Sequence, residues 1–159
     1  MTKRITEEFG IVYALKPGDH QAGVDGDSIN TKNYREVAFL IQAATLTGDA
    51  VLKVYSGATD GTKTTAETFR YRLADADQAA AGADQFDDEA TSAALTLTAA
   101  TYSDRVLVVE ISADELTADQ PFVTLEIGAE ASAFNAAVVA VLRGARYQAS
   151  DMPTAIPTS

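Results

Sequence analysis

The chain has 159 residues, 47% of them hydrophobic, which is enough for one domain with its own core. It contains no cysteine, which excludes disulfides, thiolate zinc sites and thiol catalysis. Its formal net charge of −11 disfavours binding to nucleic acid or to anionic membranes, because both attract basic surfaces. The charge favours solubility and repulsion between copies, and it also suits an outward-facing acidic surface on a crowded assembly.

Neither a membrane span nor a secretion signal is visible in the sequence. The longest apolar run, AFNAAVVAVL, is far shorter than the roughly 20 residues that a spanning helix needs. The first ten residues, MTKRITEEFG, lack the apolar centre of a signal peptide, because two glutamates interrupt them. We therefore expect the chain to be made and folded in a cytoplasm, without membrane association.

Apolar residues alternate with a period of two along most of the chain, which predicts strands. The first strand is expected at residues 11–15, ended by Pro17 and Gly18. Residues 37–42 have apolar side chains on both faces, which predicts a strand buried on both sides. After turn residues at 47–49, a second run at 51–55 completes the pattern of a hairpin.

The second half of the chain repeats this pattern. Further strands are predicted at residues 69–73, 95–98, 105–111 and 122–127, the last two joined by a turn around residues 112–120. In residues 133–142 the alanines suit a helix, whereas three valines suit a strand, which we favour. Seven or eight short strands without a long helix predict an all-β fold, a single-domain antiparallel β-sandwich or jelly roll with extended terminal arms.

The domain is expected to span residues 11–147, between an N-terminal arm at 1–10 and a C-terminal arm at 148–159. A long acidic loop is predicted at residues 74–94, where Phe86 is the one large apolar residue, so the segment cannot anchor a core. We expect an excursion containing at most one helical turn, and loops of this length are typically mobile or contact a partner. The last ten residues carry two prolines, which cannot donate to a sheet ladder.

No motif with a recognisable catalytic chemistry is present. His20, the one histidine, lies in a predicted loop and is expected to be solvated. Residues 57–64 lack the spacing of a phosphate-binding loop and are predicted to be a turn. Residues 25–30, DGDSIN, place hard oxygens where calcium could bind, but they lack the glutamate that completes an EF-hand loop, so a turn is favoured. We expect no metal, no cofactor and no enzymatic activity.

Four phrases of the sequence carry a family resemblance. In chain order they are NYREVAFLIQAATLTGDAVLKVYSG, TFRYRLADAD, LTLTAATYSDRVLVVEISADELTADQPFVTLEI and NAAVVAVLRGARYQASDMPTAI. Together, over about residues 29–156, they resemble small β-rich proteins from the head modules of tailed bacteriophages, the head decoration or auxiliary capsid proteins. The resemblance implies a cementing protein on the virion surface, bound to the major capsid protein, commonly as a homotrimer at a local three-fold position.

The residues expected to contact the shell are cations and an aromatic near the chain ends: Lys3, Arg4, Arg143, Arg146 and Tyr147. Arginine and tyrosine are enriched at the centres of protein interfaces. In a chain of net charge −11, these cations can pair with an acidic shell while the remaining acids face solvent. The alternative interpretation is that they are ordinary strand-end residues on a solvated edge.

Other functions use the same type of scaffold. A tail-tube, connector or fibre-associated phage protein is one alternative, and an acidic bacterial surface-layer protein is another. A carbohydrate-binding module usually presents an exposed aromatic platform, whereas this chain has no tryptophan and only 8% aromatic residues. Capsid decoration is the function that we favour from the sequence.

Overall fold

The computed structural model describes residues 5–77, 79–81, 84–129 and 133–145. The protein is an all-β sandwich of two antiparallel sheets packed together, with 51% strand and 5% helix. This architecture confirms the fold class that the alternating apolar pattern predicts. In chain order the elements are α1 (Ile5–Glu8), β1 (Gly10–Asp19), β2 (Val24–Asp25), β3 (Ile29–Asn30), β4 (Glu36–Ala43), β5 (Ala50–Gly57), β6 (Thr65–Glu67), β7 (Phe69–Leu73), β8 (Ala90–Ser92), β9 (Leu95–Leu97), α2 (Ala99–Tyr102), β10 (Val106–Ser112), β11 (Phe122–Ile127) and β12 (Asn135–Arg143).

The two sheets differ in width. The first sheet has six strands side by side in the order β1-β12-β4-β10-β7-β8. The second sheet also has six strands, but β11 and β5 form its centre. The short strands β2 and β3 pair with successive parts of β11, while β6 and β9 pair with successive parts of β5. The second sheet is therefore only four rows wide.

The predicted hairpin between β4 and β5 is wrong, because the two strands lie in different sheets. β4 pairs with β10 and β12, whereas β5 pairs with β11, β6 and β9. Residues 44–49 cross from one layer to the other, and Leu46, 4% exposed, is buried in the core on the way. β4 is fully buried on one face only, since Ala38 and Leu40 on its other face are partly exposed.

The first strand is longer than predicted. β1 continues through Pro17 and Gly18 to Asp19, with register shifts between Tyr13 and Leu15 and between Leu15 and Gly18. β1 is an edge strand, where proline is tolerated because its missing N–H leaves no ladder bond unmade. The predicted stop at Pro17 therefore fails for a reason that depends on the sheet order.

Most other strand predictions are confirmed. The ambiguous run at 133–142 is a strand, β12, and the strands expected at 69–73, 95–98, 105–111 and 122–127 are β7, β9, β10 and β11. The connection between β10 and β11 crosses between the sheets. The acidic segment contains the edge strand β8, and its Phe86 pairs with Ala74 in an isolated bridge; its described residues contain no helical turn.

The core lies between the two inner sheet faces, to which each long strand contributes every second residue. The innermost of these side chains are Val37, Phe39, Ile41, Leu52, Val54, Phe69, Leu107, Val109, Ile111, Val123, Leu125, Ile127, Val138 and Leu142. Along one side of the sandwich the chain itself links the layers, passing from β6 to β7 through Thr68 alone. On the other side the backbone N–H of Asp27 donates to the carbonyl of Ala14 at 2.8 Å. The two sheets are thus joined along both sides.

We expect Phe39→Ala to lower the free energy of unfolding by about 3–5 kcal/mol, because the substitution leaves a cavity between the sheets. Phe39 has no exposed surface and lies on the middle of β4. The matched control is Gln42→Ala on the same strand, which is exposed and should change the free energy by no more than about 0.5 kcal/mol. Urea unfolding measures both values, and equal effects of the two substitutions would contradict the position of β4.

Candidate partner-contact surface

Arg143 is the one predicted contact residue that the structure describes. It is the last residue of β12, and its side chain is 66% exposed. Its Nε donates to Glu36 Oε2 at 2.7 Å, and its Nη2 contacts the same oxygen. Arg143 and Glu36 are directly opposite in the β12–β4 ladder, so the strand register places this ion pair. The charge of Arg143 is therefore already paired within the chain.

The other four predicted contact residues, Lys3, Arg4, Arg146 and Tyr147, lie outside the described residues. Their clustering with Arg143 therefore remains a prediction. What the structure does describe is the region from which both terminal segments leave the sandwich. Gly10, the first residue of β1, pairs with Leu142 near the end of β12. The chain segments that precede β1 and follow β12 therefore leave from the same end.

We call this end of the sandwich the Arg143 end; it comprises residues 31–35, 57–64, 113–121 and 143–145. Hydrogen bonds connect its segments. The backbone N–H of Arg35 donates to the carbonyl of Arg143 at 3.0 Å, and the N–H of Ala113 donates to the carbonyl of Arg35 at 2.8 Å. Gly144 has φ = +68° and lies against the Arg35 side chain, where a Cβ would come within 3.1 Å of it. The Arg143 end is therefore a connected surface.

Arg35 is a candidate contact residue that the sequence interpretation missed. Its side chain is exposed, and it forms no ion pair with any of the described residues. Lys32, three residues earlier, is also exposed and lines one wall of a cleft of about 380 Å³ between residues 31–32 and 113–121. Arg35 therefore supplies the unpaired positive charge that Arg143 does not.

A buried polar network underlies this cleft. The Ser56 hydroxyl, with no exposed surface, donates to the Glu67 carboxylate, which also accepts from the Thr117 backbone N–H at 2.9 Å. Because Ser56 is inaccessible, its hydroxyl cannot reach a substrate as a nucleophile. The network instead ties the 113–121 segment to β5 and β6, and this satisfies a carboxylate that is only 8% exposed.

The predicted turn at residues 57–64 is confirmed. The N–H of Thr62 donates to the carbonyl of Thr59 at 3.1 Å, and Gly61 has φ = +71°. At Gly57 a Cβ would lie 2.1 Å from the Thr62 carbonyl oxygen, so the backbone of Thr62 can approach residue 57 this closely only because that residue is glycine. The segment presents Lys63 to the second sheet.

Three of the four polar side chains of residues 25–30 are engaged by different partners. Asp25 accepts from Lys63 Nζ at 2.8 Å, the Ser28 hydroxyl accepts from Thr124 at 3.1 Å, and Asn30 accepts from the N–H of Lys32 at 3.0 Å. Within the part of the chain that the structure describes, no three His, Cys, Asp or Glu side chains are grouped to hold a metal ion. Residues 25–30 are thus held by protein contacts.

The prediction that His20 is solvated is wrong, since its side chain is only 7% exposed. Its Nε2 lies 3.1 Å from the Lys16 carbonyl oxygen and 3.2 Å from that of Ala136. Because a carbonyl oxygen can only accept a hydrogen bond, these contacts assign the ring proton to Nε2. The β1–β12 register is irregular here. Because bulges interrupt the backbone hydrogen bonds of a ladder, a side chain such as that of His20 can bind the carbonyls instead. His20 therefore stabilises the bulged edge.

Comparisons with known proteins add no family assignment. No family model, no curated protein and no solved structure matches the chain. Among the described residues, no helix is long and apolar enough to cross a membrane.

Lys63 provides a test of the electrostatics in this region. Its Nζ contacts Asp25 and Glu126, which face each other across β2 and β11, and lies 5.5 Å from the centre of the Tyr55 ring. Hydrogen bonds to Asp25 and Glu126 raise the pKa of Lys63 above its ordinary value of 10.5. Because the pKa is higher in the folded state, this stabilisation is complete below pH 10.5 and is lost as the pH rises through the folded-state pKa.

We expect Lys63→Met to lower the free energy of unfolding at pH 7 by about 1 kcal/mol, since the ion pairs are partly exposed. The difference from the wild-type protein should shrink above pH 10.5, where Lys63 begins to lose its proton in the unfolded state. Lys53→Met is the matched control, because Lys53 makes no ion pair within the described residues. Urea unfolding across this pH range measures both differences, and a difference for Lys63→Met that is constant with pH would contradict the assignment.

Proposed function

We propose that the chain is a structural virion protein that binds the outer surface of a tailed-phage capsid and stabilises the shell of major capsid protein. The observation that carries the proposal is the common exit of both terminal segments at the Arg143 end, where Gly10 pairs with Leu142. Both predicted arms therefore begin beside the same surface. An attached protein can then contact the shell with one end and both arms together.

Charge supports the same orientation. The chain carries 23 acidic and 12 basic residues, so most of its surface repels an acidic shell. At the Arg143 end, the exposed Arg35 forms no ion pair with a described residue, and the predicted contacts Lys3, Arg4 and Arg146 lie close in sequence to the two strand ends. The Arg143 end carries four acidic and four basic residues, so approach by this end opposes less negative charge than approach by the rest of the surface, and most of the remaining acids then face solvent.

The sandwich serves as a rigid support in this function. Its two layers are joined along both sides and share one core, so the domain is expected to move as one rigid unit when one end is bound. The resemblance implies three copies around a local three-fold position, which would present several arms to neighbouring capsid subunits. Linked contacts raise the effective concentration of each further contact, so modest individual affinities give firm attachment. Binding to the assembled shell alone also stabilises that shell by mass action.

We expect deletion of residues 148–159 to leave the fold intact and to reduce the number of copies bound per capsid, because the deletion removes a contact arm and no described strand. Full-length and truncated protein are mixed with undecorated capsids, the particles are sedimented, and bound copies are counted. The control replaces residues 148–159 with a glycine-serine segment of equal length, which keeps the chain length and should bind as weakly as the deletion. Equal occupancy for all three proteins would exclude the C-terminal arm, and no binding by the full chain would exclude decoration of that shell.

Arg35→Ala should weaken shell binding about two- to fivefold, the change that corresponds to loss of one partly exposed ion pair. Lys16→Ala is the matched control, since Lys16 is also an exposed cation but lies in the second half of β1, away from the Arg143 end. The measurement is a binding curve on undecorated capsids at constant salt. A larger loss for Lys16→Ala than for Arg35→Ala would place the contact surface at the opposite end.

A further inference from the structure

The outer face of the first sheet carries an apolar patch across its four longest strands. The strand register places Tyr13 of β1, Val139 of β12, Leu40 of β4 and Val108 of β10 in one row across the sheet. The next row begins with Ile11 beside Val141. We call these six residues the outer patch. Their neighbours along each strand belong to the core, whereas these side chains point away from it.

The outer patch is accessible in the single chain. Tyr13 is 58% and Ile11 53% exposed, which makes them two of the most exposed large hydrophobic residues that the structure describes. The other four residues are partly exposed, and none belongs to the core cluster or to the residues packed against it. Exposed apolar side chains on adjacent strands are a feature of surfaces that bind a partner.

The charged side chains in register with the patch lie around it. The Arg143–Glu36 pair stands at one end of the strands, and Glu110, Arg70 and Arg72 stand on the side next to β8. Arg70 also forms ion pairs with Glu89 and Glu115, so three arginines stand against four glutamates and the charge around the patch is nearly balanced, although the chain carries −11. Two copies can therefore bring these faces together while most of their excess acids lie elsewhere on the surface.

The dimensions of the face agree with those of an interface between proteins. One residue on a sheet face occupies about 4.8 by 6.7 Å, so the six patch residues cover roughly 200 Å². The same spacings give roughly 700 Å² in projection for the full face of this six-stranded sheet, whose strands range from ten residues in β1 to three in β8. A standard interface buries about 800 Å² on each partner. The patch thus has the size of an interface centre and the surrounding face that of its polar rim.

We propose that the outer patch binds the same patch of a second copy of this chain. The two sheets then pack face to face, about 10 Å apart, as the two sheets of one chain already do. A two-fold axis through the patch uses one surface twice, so no other complementary site is needed. Contact between like-charged chains through an apolar centre becomes tighter as salt screens their repulsion, whereas contact through ion pairs becomes weaker.

This inference does not depend on shell binding, and its test uses the purified full chain alone. Any three-fold contact on a shell would need a different surface of the chain. Sedimentation velocity over a range of protein concentrations is measured from about 0.01 to about 1 M salt, over which the screening length falls from about 30 to about 3 Å. We expect a dimer whose dissociation constant decreases as salt rises. A wild-type chain that stays monomeric throughout, or a dimer that dissociates as salt rises, would overturn the proposal.

Substitutions identify the surface. The double substitution Ile11→Ser with Tyr13→Ser should weaken the dimer about a hundredfold, because it removes the two most exposed apolar side chains of the patch. Phe86→Ser is the matched control, since Phe86 is also a large exposed hydrophobic residue, at 43%, but lies outside the patch. Circular dichroism checks that each variant is folded. A dimer that survives the double substitution, or is lost with Phe86→Ser alone, contradicts the proposal.

A cross-linking measurement does not rely on weakening the interface. The chain has no cysteine, so Tyr13→Cys and Phe86→Cys each place one thiol on an otherwise thiol-free protein. A short bismaleimide should join two chains of the Tyr13→Cys variant and leave Phe86→Cys uncoupled.

If deletion of residues 146–159 is needed before the chain dimerises, the chain's own C-terminal segment covers the patch. If free protein is monomeric and the Ile11 and Tyr13 substitutions abolish shell binding, the shell covers it. Either result rejects a second copy as the occupant.

Discussion

The fold depends on removing two sets of alternating apolar side chains from water at the same time. β4 supplies Val37, Phe39 and Ile41 to one inner face, and β5 supplies Leu52 and Val54 to the other. As a two-stranded hairpin, these strands would leave both sets of side chains in water, because no second layer would cover them. The change of layer at residues 44–49 solves this problem within one connection, and the burial of Leu46 shows where the chain enters the core.

The sequence predicted which residues form strands far better than which strands pair. Alternation identifies a strand from its own residues, so β10, β11 and β12 could be found without knowledge of their neighbours. Pairing depends on residues far apart in the chain, and a six-residue connection is long enough either for a hairpin or for a crossing between layers. Leu46 was the available signal, since an apolar residue in an otherwise polar connection indicates burial there. The continuation of β1 through Pro17 likewise required knowledge that β1 is an edge strand.

Functional residues were harder to predict because their environments come from tertiary contacts. His20 looked like a loop residue, but its imidazole binds carbonyls of β1 and β12 that are 120 positions apart in the sequence, at Lys16 and Ala136. Arg143 looked like a free cation, but the ladder sets it opposite Glu36. Arg35 precedes β4 as an ordinary strand-flanking residue, and only the return of β12 places it on the same surface. The outer patch requires the register of four strands, although its residues are all apolar in the sequence.

The adjacency of the first and last long strands has a mechanical consequence. β1 and β12 are antiparallel neighbours, and Gly10 and Leu142 form the first rung of their ladder at the Arg143 end. A force that pulls the two chain ends apart therefore acts on one residue pair of this ladder at a time, beginning with Gly10 and Leu142. It separates β1 from β12 at low force. When both ends are anchored on a common support, they move together and the ladder carries no load. If such a support deforms, the force acts on the sandwich as a whole, and its two layers resist shear through their common core.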